Sequence, residues 1–135
     1  MNFDKLTTHE KQFYFAKIES VIASKKLFLK FNFSLPELVQ ETDMQLHLIS
    51  HLINLEIKHH FNDYINLMRI EYFKEMINCT EWNDFQLEKM MLASGFKSRT
   101  TFHRAFIRHL GVTPSEYIKS NRMTIEHRET SHINS

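Results

Sequence analysis

Residues 94–117 read SGFKSRTTFHRAFIRHLGVTPSEY, and this stretch decides the fold of the chain. It contains both glycines of the sequence, Gly95 and Gly111. Gly95 can adopt a positive φ at no steric cost, so it suits a tight turn that ends a preceding helix. Ser98 is a favourable N-cap for a helix that begins at Arg99, and Gly111 is a favourable residue just after that helix. These turn and capping residues therefore predict a helix whose two ends are fixed.

The helix that begins at Arg99 is amphipathic. Its apolar positions recur three and four residues apart, and they predict a buried stripe of Phe102, Ala105, Phe106 and His109 or Leu110. The opposite face offers side chains suited to the edges of DNA bases, namely Arg99, Thr100, His103 and Arg104. A partner helix over about residues 87–94 is predicted by Leu87, Met90 and Met91. A helix, a short glycine turn and a second helix make the helix-turn-helix pattern.

A polar helix face with arginines is common on solvated surfaces, so the pattern alone leaves a surface helix and a DNA-binding helix both open. The order of the residues is more specific, and it resembles the DNA-binding domain of the AraC/XylS family of transcription regulators. The resemblance rests on a Gly-Phe turn at 95–96, a Phe-x-Arg-x-Phe run at 102–106 and a Gly-x-x-Pro-x-x-Tyr run at 111–117. It extends over about residues 8–120.

The resemblance implies an all-α fold of about seven helices, in which two helix-turn-helix subdomains are joined by a long linker helix. The expected boundaries are residues 1–61 for the first subdomain, 62–78 for the linker helix and 79–120 for the second subdomain. Residues 121–135 are polar and lack periodicity, so we expect a disordered tail there. The implied function is sequence-specific binding of double-stranded DNA by a transcription regulator, which inserts recognition helices into the major groove.

Local signals predict the helices of the first subdomain. Helical apolar spacing covers residues 8–24 and again 46–57. Between them, Ser34 and Glu37 have the spacing of a capping box, which predicts a short helix beginning at that point. Asp43 lies in the turn after this short helix, where the family usually has glycine, and aspartate can visit the left-handed region that the turn requires.

The linker helix is predicted from its expected cap, Asn62, to about Asn78. Arg69 lies within it among apolar neighbours. We expect its guanidinium to make an internal ion pair or a contact with the backbone, because a buried charge needs a partner.

The contact positions of the family, carried onto this sequence, give two sets of expected DNA-binding residues. The first set is Gln45, His47, Ser50 and His51, and the second is Arg99, Thr100, Thr101, His103 and Arg104. The two guanidiniums of the second set can each bind a guanine bidentately, for roughly 1–3 kcal/mol of discrimination. The first set offers neutral groups, and His51 stands where many relatives carry arginine. We predict that the second recognition helix dominates the affinity.

The distribution of charge along the chain supports this prediction better than the net charge of the chain does. The net charge of the chain is only +1. Residues 96–135 carry seven Lys or Arg residues against three Glu residues, a net charge of +4, which leaves −3 for the remainder. Positive charge is therefore gathered around the second motif, where a phosphate backbone would lie.

The sequence gives little support to metal or cofactor chemistry, and we expect neither. Cys79 is the single cysteine, which excludes an internal disulfide and a zinc site of several cysteines. His47 and His51 are one helical turn apart, a spacing that can hold a metal, but the HLISH run lacks the glutamate of a zinc-protease motif. Solvated or DNA-facing imidazoles are the preferred interpretation. DNA binding that weakens above about pH 7, as imidazoles lose charge, is a further hypothesis.

No glycine-rich phosphate loop, nucleophile elbow or supported Cys-His pair is present in the sequence, so we expect no enzyme. No secretory signal and no apolar run of membrane-spanning length is present either, and we expect a cytoplasmic protein without a membrane segment. The competing function is an all-helical protein-interaction module that binds a sensor or RNA polymerase. A steep loss of DNA affinity with rising salt would favour the DNA-binding interpretation.

Members of the family usually carry a separate sensor or dimerisation domain. Residues 1–7 leave no room for one, so we expect either a stand-alone regulator or the C-terminal piece of a longer protein. RNA polymerase is a further expected partner. The sequence names no operator, no effector and no sign of regulation.

Overall fold

A computed structural model of the chain describes residues 5–57 and 60–122. Within these ranges it contains seven α-helices, two short 3₁₀ helices and no strand, which confirms the predicted all-α fold. The helices are α1 (Thr8–Ser24), α2 (Leu35–Thr42), α3 (Leu46–Ile57), α4 (Phe61–Met76), α5 (Leu87–Ala93), α6 (Arg99–Leu110) and α7 (Pro114–Asn121), with 3₁₀ helices at Leu27–Leu29 and Thr80–Trp82.

The chain divides into two compact units, Met1–Arg69 and Ile70–Ser135, and the boundary falls within α4. In the first unit, the Thr7 hydroxyl accepts a hydrogen bond from the Glu10 amide at 3.0 Å, and the Glu10 carboxylate accepts one from the Thr7 amide at 3.2 Å. This capping box begins α1. The fully buried side chains of the unit are aliphatic and come from four helices: Ile18, Ile22, Leu38, Ile49, Leu52, Ile53 and Ile65. Buried aromatic side chains surround them, namely Phe15, Phe28, Phe33 and Tyr64.

The turn between α2 and α3 is built on Asp43. Its φ of 59° and ψ of 28° lie in the left-handed region, as the sequence predicted. Its amide donates to the Val39 carbonyl at 2.8 Å, so the turn closes α2. The buried Thr42 hydroxyl donates to the Leu38 carbonyl at 2.7 Å and accepts from the Met44 amide at 3.3 Å. The two helices of the first helix-turn-helix are thereby joined without a glycine.

Among the described residues of the first unit, Arg69 is the buried charged side chain, with only 8% of its surface exposed. Its Nε donates to the Phe28 carbonyl at 2.6 Å and its Nη2 donates to the Lys30 carbonyl at 2.9 Å. The Nη1 donates to Asn66 Oδ1 at 2.9 Å. Burial lowers the pKa of Arg69 to about 10, which leaves the guanidinium charged at neutral pH. The predicted backbone contact is confirmed, and it ties α4 to the connection between α1 and α2.

Two local predictions differ from the structure. The Ser34 hydroxyl does accept a hydrogen bond from the Glu37 amide at 3.4 Å, but the Glu37 carboxylate lies 2.7 Å from Lys30 Nζ. An ammonium is a stronger partner for a carboxylate than a neutral backbone amide is. In the part of the chain that the structure describes, the reciprocal half of the predicted capping box is therefore replaced by an ion pair.

The other difference concerns the limits of the linker helix. Helix α4 begins at Phe61, so Asn62 lies inside its first turn and is not the cap. The first backbone hydrogen bond runs from the Tyr64 amide to the His60 carbonyl at 3.1 Å. The helix ends at Met76 and not at Asn78, because the Cys79 amide turns back to the Met76 carbonyl at 3.0 Å and a 3₁₀ helix follows.

The second unit has an aromatic core. The rings of Phe73 and Phe106 meet edge to face with centroids 5.0 Å apart, and those of Phe102 and Phe106 meet similarly at 5.2 Å. Aromatic pairs prefer this geometry because ring edges are positive and ring faces negative. The other buried members of the core are Ile70, Ile77, Trp82, Met90, Met91, Phe96 and Ala105.

The first two residues of the predicted disordered tail, Asn121 and Arg122, make hydrogen bonds within the second unit. Asn121 is the last residue of α7, and its carbonyl accepts a hydrogen bond from the Asn78 side chain at 3.3 Å. The Arg122 guanidinium donates to the Trp82 carbonyl. These two residues are therefore held by the second unit, and the rest of the predicted tail, 123–135, lies outside the described residues.

Candidate nucleic-acid interface

The turn that precedes α6 is a Schellman motif. The Gly95 amide donates to the Leu92 carbonyl at 3.0 Å, and the Phe96 amide donates to the Met91 carbonyl at 3.1 Å. Gly95 has a φ of 93°, which L side chains rarely adopt, so glycine is required there. Phe96 is buried in the core. The turn is therefore fixed by both backbone hydrogen bonds and an apolar anchor.

Both ends of α6 are fixed in the predicted way. The Ser98 hydroxyl accepts a hydrogen bond from the Thr101 amide at 3.4 Å. Gly111 has a φ of 74° and its amide donates to the Ile107 carbonyl at 3.0 Å. Thr113 then begins α7 in a reciprocal capping box. The caps fix where α6 begins and ends, and the buried Phe102 and Phe106 fix its rotation about its axis. The set of residues that faces outward is therefore fixed as well.

The predicted DNA-binding residues of α6 are all exposed. They are Arg99, Thr100, Thr101, His103 and Arg104, which we call the outer face of α6. Phe102, Ala105 and Phe106 occupy the opposite side and are buried. The helix thus brings two guanidiniums, two hydroxyls and an imidazole together on solvent-accessible surface, while its other side anchors in the aromatic core.

The predicted residues of the first unit are less open. Gln45, just before α3, and His47, in its first turn, are exposed. Ser50 and His51 are half-buried. The set therefore offers less polar surface than the outer face of α6 does, and it carries no cationic side chain comparable to arginine.

One ion pair on the outer face of α6 was not predicted. Arg99 Nη2 lies 3.4 Å from Oε2 of Glu88, which is in the first turn of α5. The two side chains are 78% and 62% exposed. Their contact depends on how the Schellman turn folds α5 against α6, so no local sequence signal could have shown it.

His103 faces the start of α7. Hydrogen bonds from Thr113 hold the pKa of the Glu116 carboxyl below its usual range, with the larger effect from the Thr113 side chain and the smaller from its backbone amide. The charge of His103 lowers this pKa further. The imidazole therefore lies within electrostatic reach of this carboxylate.

A pocket of about 350 Å³ opens between α5, α6 and the start of α7. Met91, Phe102 and Pro114 supply apolar lining. Glu88, Arg99 and His103 supply polar lining, and the latter two belong to the outer face of α6. The pocket is therefore continuous with the candidate DNA-binding surface.

Other kinds of site find no support in the described part of the chain. Among residues 5–57 and 60–122, no group of three or more His, Cys, Asp or Glu residues could hold a metal ion. No helix within those same ranges is long and apolar enough to cross a bilayer.

Comparisons with known proteins agree with the geometry. A family model described as a helix-turn-helix domain, of AraC type, matches residues 38–120. A similar solved structure is the C-terminal domain of AraT, a response regulator from Geobacillus stearothermophilus, with a TM-score of 0.65 and 17% identity over 81% of this chain and 88% of that one. Another is a protein of unknown function from Listeria innocua, with a TM-score of 0.64 and 28% identity over 79% of this chain and 96% of that one.

A search of the curated proteins gives no match. At 17% identity the likeness to AraT supports the fold alone. The family match covers the first helix-turn-helix from Leu38 onward and the second in full, and it includes the outer face of α6. The chain belongs to the AraC-type helix-turn-helix family, a family of DNA-binding transcription regulators.

Proposed function

We propose that this chain regulates transcription by binding specific sequences of double-stranded DNA, with α6 inserted into the major groove. The observation that carries the proposal is the two-sided character of α6, whose outer face is exposed while Phe102 and Phe106 fix its inner side. The major groove is wide enough for an α-helix, and its base pairs present distinct patterns of donors and acceptors.

The outer face of α6 is expected to supply most of the base readout. Arg99 and Arg104 can each donate two hydrogen bonds to guanine O6 and N7, and Thr100 can meet a thymine methyl. Two exposed cations of the same unit, Lys97 just before α6 and Lys119 on α7, would hold phosphates, together with backbone amides at the start of α6. Because Ser50 and His51 are half-buried, we expect α3 to contribute less to base readout.

The proposal is tested by selecting bound sites from random duplex DNA and measuring affinities by gel shift. Arg104→Ala should weaken binding to the selected site by roughly 5- to 150-fold, which corresponds to the ~1–3 kcal/mol of one bidentate contact. Lys17→Ala removes the same charge from an exposed position on α1 and serves as the control. Equal affinity of Arg104→Ala and the parent would refute the assigned role of α6.

Salt dependence separates this function from the alternative of a protein-interaction module for a sensor or RNA polymerase. Release of counterions from phosphates makes the affinity for DNA fall steeply as salt rises. Indifference of the protein to every duplex would favour the alternative. A contact with RNA polymerase in addition to DNA is a separate proposal, which binding to polymerase without DNA would test. The expected cytoplasmic location follows from the proposed DNA target.

A further inference from the structure

We propose that Glu88 is a positioning residue for base readout, which holds the Arg99 guanidinium over the groove-facing surface and withholds it from phosphates. The inference rests on the proposed DNA-binding function. It concerns a residue of α5 that lies outside the contact positions expected from the family resemblance.

The geometry of the pair leaves Arg99 able to bind a base. Glu88 Oε2 engages Nη2 of Arg99, at 3.4 Å, from the neighbouring helix. A guanidinium has five N–H donors in one plane, so the remaining donors on Nη1 and Nη2 still offer a bidentate edge. Nη2 carries one hydrogen on each bidentate edge of the guanidinium, so a single contact with the carboxylate favours one position of Arg99 and leaves one edge for guanine.

The surroundings of Glu88 direct it toward Arg99. Among the described residues that line the pocket between α5, α6 and α7, Glu88 is the one acid, and Arg99 and His103 line the same pocket. Its neighbour Lys89 has its Nζ over the ring of Phe85, 4.3 Å from the centroid, so that cation is engaged elsewhere. Arg99 is consequently the ion-pair partner of Glu88 in the structure.

The pair has opposite consequences for matching and for random DNA. An arginine released from its carboxylate can turn to any nearby phosphate, a contact that carries no sequence information. An arginine held in place gains most from a guanine at the correct position. The negative charge of Glu88 also repels the phosphates of every duplex equally. The pair should therefore lower the affinity for random DNA and widen the gap between the selected site and random DNA.

The test compares Glu88→Gln with the parent on the selected site and on a scrambled duplex of the same length. We expect the affinity for scrambled DNA to rise several-fold, with a salt slope steeper by about one, because one more phosphate contact forms. The ratio of the two affinities should fall by about fivefold, and a new selection from random DNA should show relaxed preference at one base pair.

Glu71→Gln is the matched control. Glu71 is exposed on α4 and pairs with Lys74 at 3.3 Å, so this variant also removes one negative charge and frees one cation. It should change both affinities by the same factor. Glu88→Gln in an Arg99→Ala background completes the cycle, and there the substitution should leave the affinity ratio unchanged, because Glu88 acts through Arg99.

Two outcomes would overturn the inference in distinguishable ways. A parent protein that does not discriminate its selected site from scrambled DNA would overturn the proposed function and this inference with it. A parent that discriminates, with Glu88→Gln showing the same affinity ratio as the parent or as Glu71→Gln, would overturn the role of Glu88 alone.

Discussion

Replacing Arg69 by alanine removes the buried charge that ties α4 to the connection between α1 and α2. The bond to the Phe28 carbonyl is buried, so its loss should cost about 2 kcal/mol, within the range for hydrogen bonds to charged groups. The bonds to the Lys30 carbonyl and the Asn66 side chain are only partly buried, and water can replace them at about 1 kcal/mol in total. We expect Arg69→Ala to destabilise the first unit by about 3 kcal/mol.

Arg69→Lys should lose roughly half as much, because the ammonium keeps the charge but has its three donors on one nitrogen, whereas the three acceptors of Arg69 are bound by three separate nitrogens. Arg69→Met tests whether only the apolar stem matters, since methionine packs in a similar way without any donor.

Hydrogen exchange of backbone amides suits this measurement because it resolves the two units separately. Trp82, the single tryptophan, lies in the second unit and its fluorescence would report on that unit. The slowest amides of residues 8–57 should lose protection by about two orders of magnitude in Arg69→Ala, the factor that ~3 kcal/mol implies. Protection in Arg69→Met equal to that of the parent would refute the assignment of stability to these hydrogen bonds.

Three further predictions follow from the second unit and its surface. Gly111→Ala should destabilise the protein by about 1 kcal/mol through its positive φ alone, since a Cβ there would meet no atom within 4 Å; an unchanged melting temperature would contradict this. Hydrogen bonds from Thr113 lower the pKa of Glu116. The charged Glu116 carboxylate therefore stabilises the fold above the ordinary carboxyl pKa, and this stabilisation is lost as the pH falls through the lowered pKa. The melting temperatures of Glu116→Gln and the parent should therefore converge from pH 7 to pH 3, and a constant gap would argue against the hydrogen-bonded carboxylate. His103→Ala should weaken binding to the selected DNA site, because the imidazole is exposed on the outer face of α6; an affinity equal to that of the parent would remove this role.

Local signals in the sequence were sufficient for the parts of the fold that are closed by neighbouring residues. Ser98 and Gly111 predicted the limits of α6 because a cap acts within one helical turn. Asp43 predicted the first turn for the same reason. The start of the linker helix was predicted less accurately. Asn62 is a favourable cap by type, but α4 already begins one residue earlier, at Phe61.

The interactions that the sequence could not reveal join residues far apart in the chain. The hydrogen bonds of Arg69 reach back 41 and 39 residues, so their existence was predictable from burial of a charge but their partners were not. Glu88 and Arg99 meet only because of the direction in which the Schellman turn sends the chain. The candidate site was accordingly predicted as a set of exposed residues, without the carboxylate that modifies one of them.

The separation of the two sides of α6 has an evolutionary consequence. The residues that set its ends and hold it in the core, such as Ser98, Phe106 and Gly111, are distinct from those that project outward. Under the proposed function, exchanges among the projecting side chains should therefore change the preferred operator while leaving folding almost untouched. A lineage that duplicated this gene could diverge toward new promoters by a few surface substitutions, each tolerated by the same scaffold.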